Sequence, residues 1–335
     1  MVIKFDAAAY SFRTKLPYVT KDLLRWFPGH MNRGLKQMQS KLKLVDCVIE
    51  VHDARIPFTG RNPIFTQTLT GAKPHILVLN KKDLIKRSLI PKVADQLKAE
   101  QGTKNVVFTN CKDQFCRGLK SLKPLVVDVI KSSNRYNRSE ELDYNVMIIG
   151  VPNVGKSSLI NMLRSNHLRL SHSLPVGAVA GVTRSVMTKI RINNDPKIFM
   201  LDTPGILEPS VTDIEMGLKL ALCASLQDHL VGEEIIADYL LFWLNKHNNF
   251  SYVDFMGMEE PCDEINKVLL SGAMKFNRVR KVRDFDGTVR QVPDFVEVAK
   301  TMIRAFRAGE LGKTLLDVEL LEAKTQADNK EKMLA

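Results

Sequence analysis

A chain of 335 residues that is 44% hydrophobic can bury two cores, and its formal charge of +12 points to a polyanionic partner or a solvated basic surface. No apolar run reaches the length of a membrane span, which leaves a soluble or peripheral protein. Five scattered cysteines (Cys47, Cys111, Cys116, Cys223, Cys262), never in a CxxC pair, exclude a disulfide frame and a zinc cluster.

The positive charge is unevenly spread. Residues 1–142 hold 26 Lys+Arg against 12 Asp+Glu, whereas residues 143–335 hold 23 against 25. The first twenty-odd residues carry Lys4, Arg13, Lys15, Lys21 and Arg25 among hydroxyl residues, in the manner of a mitochondrial transit segment, although Asp6 and Asp22 depart from that pattern. "RWFPGHMNRG", Arg25–Gly34, then leads into a helical run with Met31, Leu35, Met38 and Leu42 on one face.

Strands are expected at Cys47–Val51, His75–Asn80, Asn105–Thr109, Asn145–Gly150, Lys189–Ile192 and Ile198–Leu201, with helical patterns between them. That alternation predicts an α/β domain around a mainly parallel sheet. After Pro209 the strand signal stops, and a helical C-terminal domain is expected, with an acidic segment at 208–264 and a basic one at 274–307.

The chemistry lies at the ends of these strands. "GVPNVGKS" (Gly150–Ser157) matches G-x-x-x-x-G-K-[ST] between a strand and a helix, the context of a phosphate-binding loop. Asn153, Val154, Gly155, Lys156, Ser157 and Ser158 are its expected phosphate-side residues; Lys156 reaches the β- and γ-phosphates and Ser157 holds Mg²⁺. "KIFMLDTPG" places Asp202 in the Mg²⁺ shell and the Gly205 N–H at the γ-phosphate, and Thr183 of "AGVTRS" caps the metal from a loop. "HILVLNKKD" supplies Asn80, Lys81 and Asp83; a carboxylate at Asp83 accepts from guanine N1–H and its 2-amino group, which adenine cannot offer. "FTNCK" adds Thr109 and the N–H groups of Asn110 and Cys111 for the guanine O6. The predicted ligand is therefore GTP or GDP with Mg²⁺.

The order of these motifs is unusual. NKKD and TNCK precede the phosphate loop, switch threonine and DTPG, so the chain reads as a circular permutation cut just after DTPG, which is feasible because domain termini often lie close together. With that order, with "WFPGHM" ahead of it and with "VHDARIPFTGRNP" (Val51–Pro63), the chain closely resembles the circularly permuted ribosome biogenesis GTPase A (YlqF-like) family, and within it the mitochondrial branch. The resemblance spans nearly the whole chain. It implies a circularly permuted P-loop GTPase domain over residues 26–209, after an N-terminal segment 1–25 read as a transit peptide. A helical domain over 210–335 would bind rRNA. It further implies a monomeric factor for late maturation of the large ribosomal subunit, in the mitochondrial matrix, with peripheral contact to the inner membrane; a bacterial source would make it cytoplasmic.

Two positions depart from the commonest GTPase pattern. Ile206 stands where many GTPases carry a water-orienting glutamine, so hydrolysis should be slow until another group assists. His30 is the candidate for that group, a role the resemblance supports, with an RNA contact or helix cap as the other reading. Asn153 is either a K⁺ ligand, as in related GTPases, or a turn residue. Arg278, Arg280, Lys281 and Arg283 of "NRVRKVR" are read as RNA phosphate contacts or a solvated charge run, and Asp53 and Arg55 as an internal ion pair. A signalling switch acting on proteins and an RNA-binding scaffold with vestigial turnover are the competing functions. Against the latter, Lys156, Ser157, Asp202 and Asp83 are all in place.

Overall fold

Short runs rich in Val, Ile and Leu, each too short for a helix, assemble into a six-stranded sheet. The computed structural model describes residues 5, 10–16, 29–61, 65, 73–99, 103–135, 138–168, 189–206, 213–285 and 287–334, without the side chains of 29–34, 167 and 328–334. In chain order the first part holds α1 (Gly29–Lys41), β1 (Cys47–Asp53), β2 (His75–Asn80), α2 (Leu89–Ala99), β3 (Val106–Phe108), α3 (Arg117–Lys131), β4 (Tyr144–Ile149), α4 (Lys156–Leu168), β5 (Lys189–Asn193) and β6 (Ile198–Leu201). The sheet order is β3-β2-β1-β4-β6-β5. All neighbours pair in parallel except β5, which runs antiparallel to β6.

β1 and β2 are buried along their whole length, as central parallel strands with both faces covered must be. β1 extends two residues beyond the expected Val51, because His52 and Asp53 continue the ladder opposite Leu79 and Asn80. Its polar residues survive burial by pairing. The Glu50 carboxylate lies 2.7 Å from His52 Nε2 and 2.9 Å from His75 Nε2, with Arg61 at 3.5 Å. Burial alone would raise the Glu50 carboxyl, but these partners hold it well below the usual carboxylate range.

The rest of the chain forms α5 (Ile214–Leu222), α6 (Asp228–Val231), α7 (Glu233–Lys246), α8 (Ser251–Met256), α9 (Ile265–Lys275), β7 (Val279–Arg283), β8 (Val289–Pro293), α10 (Phe295–Ala308) and α11 (Val318–Leu334). The described residues divide into two compact units. One holds those within 25–211, 223–225 and 314–335; the other holds those within 1–24, 212–222 and 226–313. In the second unit Arg307 fastens the end of α5, donating to the Leu222 and Ala221 carbonyls at 3.0 and 2.7 Å while pairing with Asp228 at 2.6 Å. Arg13 of the N-terminal segment pairs there with Asp238 and Asp263. α10 begins with the Asp294 side chain accepting from Glu297 N at 3.1 Å and stops at Gly309, whose φ is 91°.

Two features differ from the sequence expectation. The strand signal does not end at Pro209, since β7 and β8 form an antiparallel hairpin; their charged, alternating pattern hides a strand that has no buried face. Nor does the helical region keep the chain to residue 335. Leu315 and Leu321 are buried with Leu77, Leu79, Ile85, Val93 and Leu97, so residues 314–334 belong to the sheet unit.

Candidate functional site

Parallel strands bring their C-terminal ends to one edge of a sheet, so β2, β3, β4 and β6 place NKKD, FTNCK, the phosphate loop and DTPG side by side. The phosphate loop turns between β4 and the N-terminus of α4, whose unpaired N–H groups and dipole favour an anion. Gly155 has φ 100°, and a Cβ there would stand 2.3 Å from Asn80 Nδ2. DTPG presses against the same loop: a Cβ on Gly205 would lie 2.6 Å from Pro152 Cα, and Ile206 N donates to Gly150 O at 3.3 Å.

Asn80 ties the site together. Its Nδ2 donates to Val154 O at 2.9 Å, and its Oδ1 accepts from Thr109 Oγ1 and Cys111 N, both at 3.2 Å. One buried amide thus joins the NKKD strand, the phosphate loop and the FTNCK loop. Lys81 follows with φ 60°, and its ammonium lies 2.9 Å from Asp53 Oδ2. Asp53 is also held by Arg55 at 2.7 Å. Burial opposes ionisation of Asp53, yet Arg55 and Lys81 keep its carboxyl well below the ordinary range. Asp83 sits half-buried in the single turn Lys82–Leu84.

On the phosphate side, Lys156 is buried and its Nζ donates to Gly150 O at 3.1 Å and Val151 O at 2.9 Å. Burial pushes its pKa down to about 8, against the pull of Asp202. Ser157 Oγ donates to Asp202 Oδ2 at 3.0 Å, while the buried Asp202 Oδ1 has no hydrogen-bond partner among the described residues. Desolvation raises the Asp202 carboxyl above the usual value. A hydroxyl beside an uncompensated carboxylate oxygen, facing a phosphate loop, is the hard oxygen set that suits Mg²⁺. Such an ion would supply charge neutralisation on the phosphates.

The comparisons agree with this geometry. The family described as "50S ribosome-binding GTPase" matches residues 145–269. Mitochondrial GTPase 1 of Aedes aegypti is 57% identical over 308 residues, covering 92% of this chain and 98% of that one. The chain belongs to the mitochondrial GTPase 1 family. Mitochondrial ribosome-associated GTPase 1 of Bos taurus is 49% identical over 327 residues, covering 96% and 97%. Solved structures of YlqF from T. maritima share the fold: the GNP-bound form has a TM-score of 0.50 at 22% identity, covering 84% and 96%, and the GDP-bound form 0.52 at 21%, covering 83% and 97%. Membership makes the chain a guanine-nucleotide-binding GTP hydrolase of mitochondria.

Within this mitochondrial GTPase 1 framework the expected residues can be placed. Asn80 closes β2, Lys156, Ser157 and Ser158 open α4, and Lys81, Asp83, Thr109, Asn110, Cys111, Asn153, Val154, Gly155, Asp202 and Gly205 lie in the segments that follow β2, β3, β4 and β6. Thr183 lies outside the described residues. So does the side chain of His30, whose backbone opens α1. The Asn110 N–H lies 3.4 Å from Cys116 Sγ, and the Cys111 N–H donates to Asn80 Oδ1 at 3.2 Å. The compact turn before α3 folds them inward. Asn153 adopts φ 58° and its Nδ2 donates to Ala224 O at 2.9 Å. Ile206 is fully buried and offers no polar atom.

Three features emerge at the site that sequence reasoning did not foresee. The Asp53–Arg55 pair was expected, but not that it holds Lys81. Asp317 was not foreseen either: its carboxylate accepts from Phe58 N and Thr59 N at 2.9 Å each, and from Thr59 Oγ1 at 2.5 Å. With Leu316 N donating to Arg55 O at 2.9 Å, this strap braces the loop that carries Arg55. Its one local signal is an aspartate just before a helical run, which reads as an ordinary N-cap. The third is Cys116, at the N-terminus of α3. Burial works against its thiolate, but backbone N–H groups of Leu119 and Asn110 bring its pKa below the usual value.

Proposed function

We propose that this GTPase is an assembly factor that binds rRNA on the large ribosomal subunit in its GTP state and promotes a late maturation step in the mitochondrial matrix. The observation that carries the reading is the likeness, over 96% of the chain, to a relative named for its association with the mitochondrial ribosome. The basic excess of residues 1–142 supports a polyanionic partner. The factor acts as a monomer, with peripheral contact to the inner membrane; no helix among the described residues is long and apolar enough to cross it.

In this reading Lys156 and the loop N–H groups bind the triphosphate, Ser157, Asp202 and Thr183 hold Mg²⁺, and Asp83 selects guanine. Ile206 cannot orient water, so turnover is slow until the subunit orders His30 beside the γ-phosphate. The test is single-turnover hydrolysis with and without large subunits. His30→Ala is expected to keep GTP affinity and lose the stimulation; undiminished stimulated turnover in that variant overturns the role. Asn153 is proposed to hold K⁺, so hydrolysis should be faster in KCl than in matched NaCl, and equal rates discard the idea.

A further inference from the structure

The hairpin β7–β8 has no buried face. Every residue of β7 is exposed and, of β8, only Val292 is half-covered. An isolated two-stranded hairpin is marginal in water, so one that also exposes Val279, Val282 and Val289 is built for a covering partner. Cross-strand register puts Arg280 and Val282 on one face with Val292 and Arg290, and Val279, Lys281 and Arg283 on the other with Pro293, Gln291 and Val289. Both faces thus mix cations with apolar stems. Two of the acids near these strands have partners of their own, Asp284 with Arg290 and Asp294 at the start of α10, while Asp286 follows Phe285 in the sequence. Arg280, Lys281 and Arg283 make no ion pair among the described residues. At the tip, Phe285 is fully exposed, an apolar ring held in solvent beside the turn that Gly287 closes with φ 86°.

We infer that this hairpin is an RNA-binding finger: Arg280, Lys281 and Arg283 track phosphates, and Phe285 stacks on an unpaired base. This rests on the proposed rRNA partner and goes further, by assigning the contact to one element and its target to single-stranded or looped RNA. An aromatic ring held at the end of a ribbon whose strands are cationic suits a splayed base, because the base faces of a duplex are already stacked and its deep groove is closed to side chains. An anionic membrane would use the cations but gains little from a single phenyl at the end of a polar, two-faced ribbon.

The test uses the full chain, with a fluorescent single-stranded RNA oligonucleotide, an RNA duplex of the same length, and vesicles of phosphatidylcholine with phosphatidylglycerol. Phe285→Ala is expected to weaken single-strand binding about tenfold and duplex binding far less. Arg280→Ala, Lys281→Ala and Arg283→Ala should each lower the slope of log affinity against log salt by about 0.7. All four side chains are exposed and none belongs to the nucleotide-binding segments, so basal GTP turnover should stay unchanged. Unaltered RNA binding in these variants, or loss confined to vesicles, overturns the finger. Subunit binding by the wild type that persists in the variants overturns only the finger, whereas a wild type that binds no subunit removes the broader reading.

Discussion

Asn80 makes three hydrogen bonds to two loops that are far from it in sequence, so its truncation should be felt beyond its own motif. Asn80→Ala leaves a buried carbonyl, hydroxyl and N–H without partners, at a cost of about 1–3 kcal/mol each. We expect GTP affinity to fall by at least about tenfold in titration calorimetry, a drop of about 1.4 kcal/mol or more; unchanged affinity would show that the loops hold themselves. Lys156 gives a pH prediction. With its pKa near 8 it is depressed from the ordinary lysine value, and the charged form regains stability when phosphates approach. GTP binding at pH 8 should therefore take up about half a proton, read from the dependence of binding enthalpy on buffer. The uptake should vanish in Lys156→Ala. The clustering of Lys156, Ser157 and Asp202 was readable in sequence because a phosphate loop is a local device of fixed spacing. The Asn80 bridge was not, because it depends on where three strands end relative to one another.

At the scale of elements, the strap at the start of α11 bears on the base side of the site. Asp317 anchors Thr59, Leu316 anchors Arg55, Arg55 holds Asp53, and Asp53 holds Lys81. Asp317→Ala should lower stability by about 3 kcal/mol, seen as an earlier denaturant midpoint at unchanged slope. An unchanged midpoint would mean the carboxylate is dispensable. Lys81 then loses its indirect brace, and guanine affinity should fall further than the phosphate contacts alone predict. Acid acts at the same place. The Glu50 and Asp53 carboxyls both titrate below their unfolded values, so their stabilisation is complete above about pH 5 and is lost as the pH falls through that range. Asp202 works in the opposite direction, since its carboxyl is raised by burial. The limits of β2 and β6 could be read from apolar runs bounded by polar motifs. Residues 314–334 and the β7–β8 hairpin could not. The first is placed by a few leucines that find a distant core, and the second buries no face that would betray a strand.

At the scale of the molecule, permutation leaves the nucleotide site intact because the strand ends, rather than their order along the chain, decide which loops meet. The charge asymmetry between the two halves of the sequence fits the proposed large anionic partner. The buried Ile206, with no polar atom to orient water, fits the proposed timer that waits for that partner. The most direct measurement is co-sedimentation of the full chain with mitochondrial large ribosomal subunits in three states: a non-hydrolysable GTP analogue, GDP, and no nucleotide. The account predicts strong pelleting with the analogue and weak pelleting in the other two. Equal pelleting in all three states, or none in any, would contradict it.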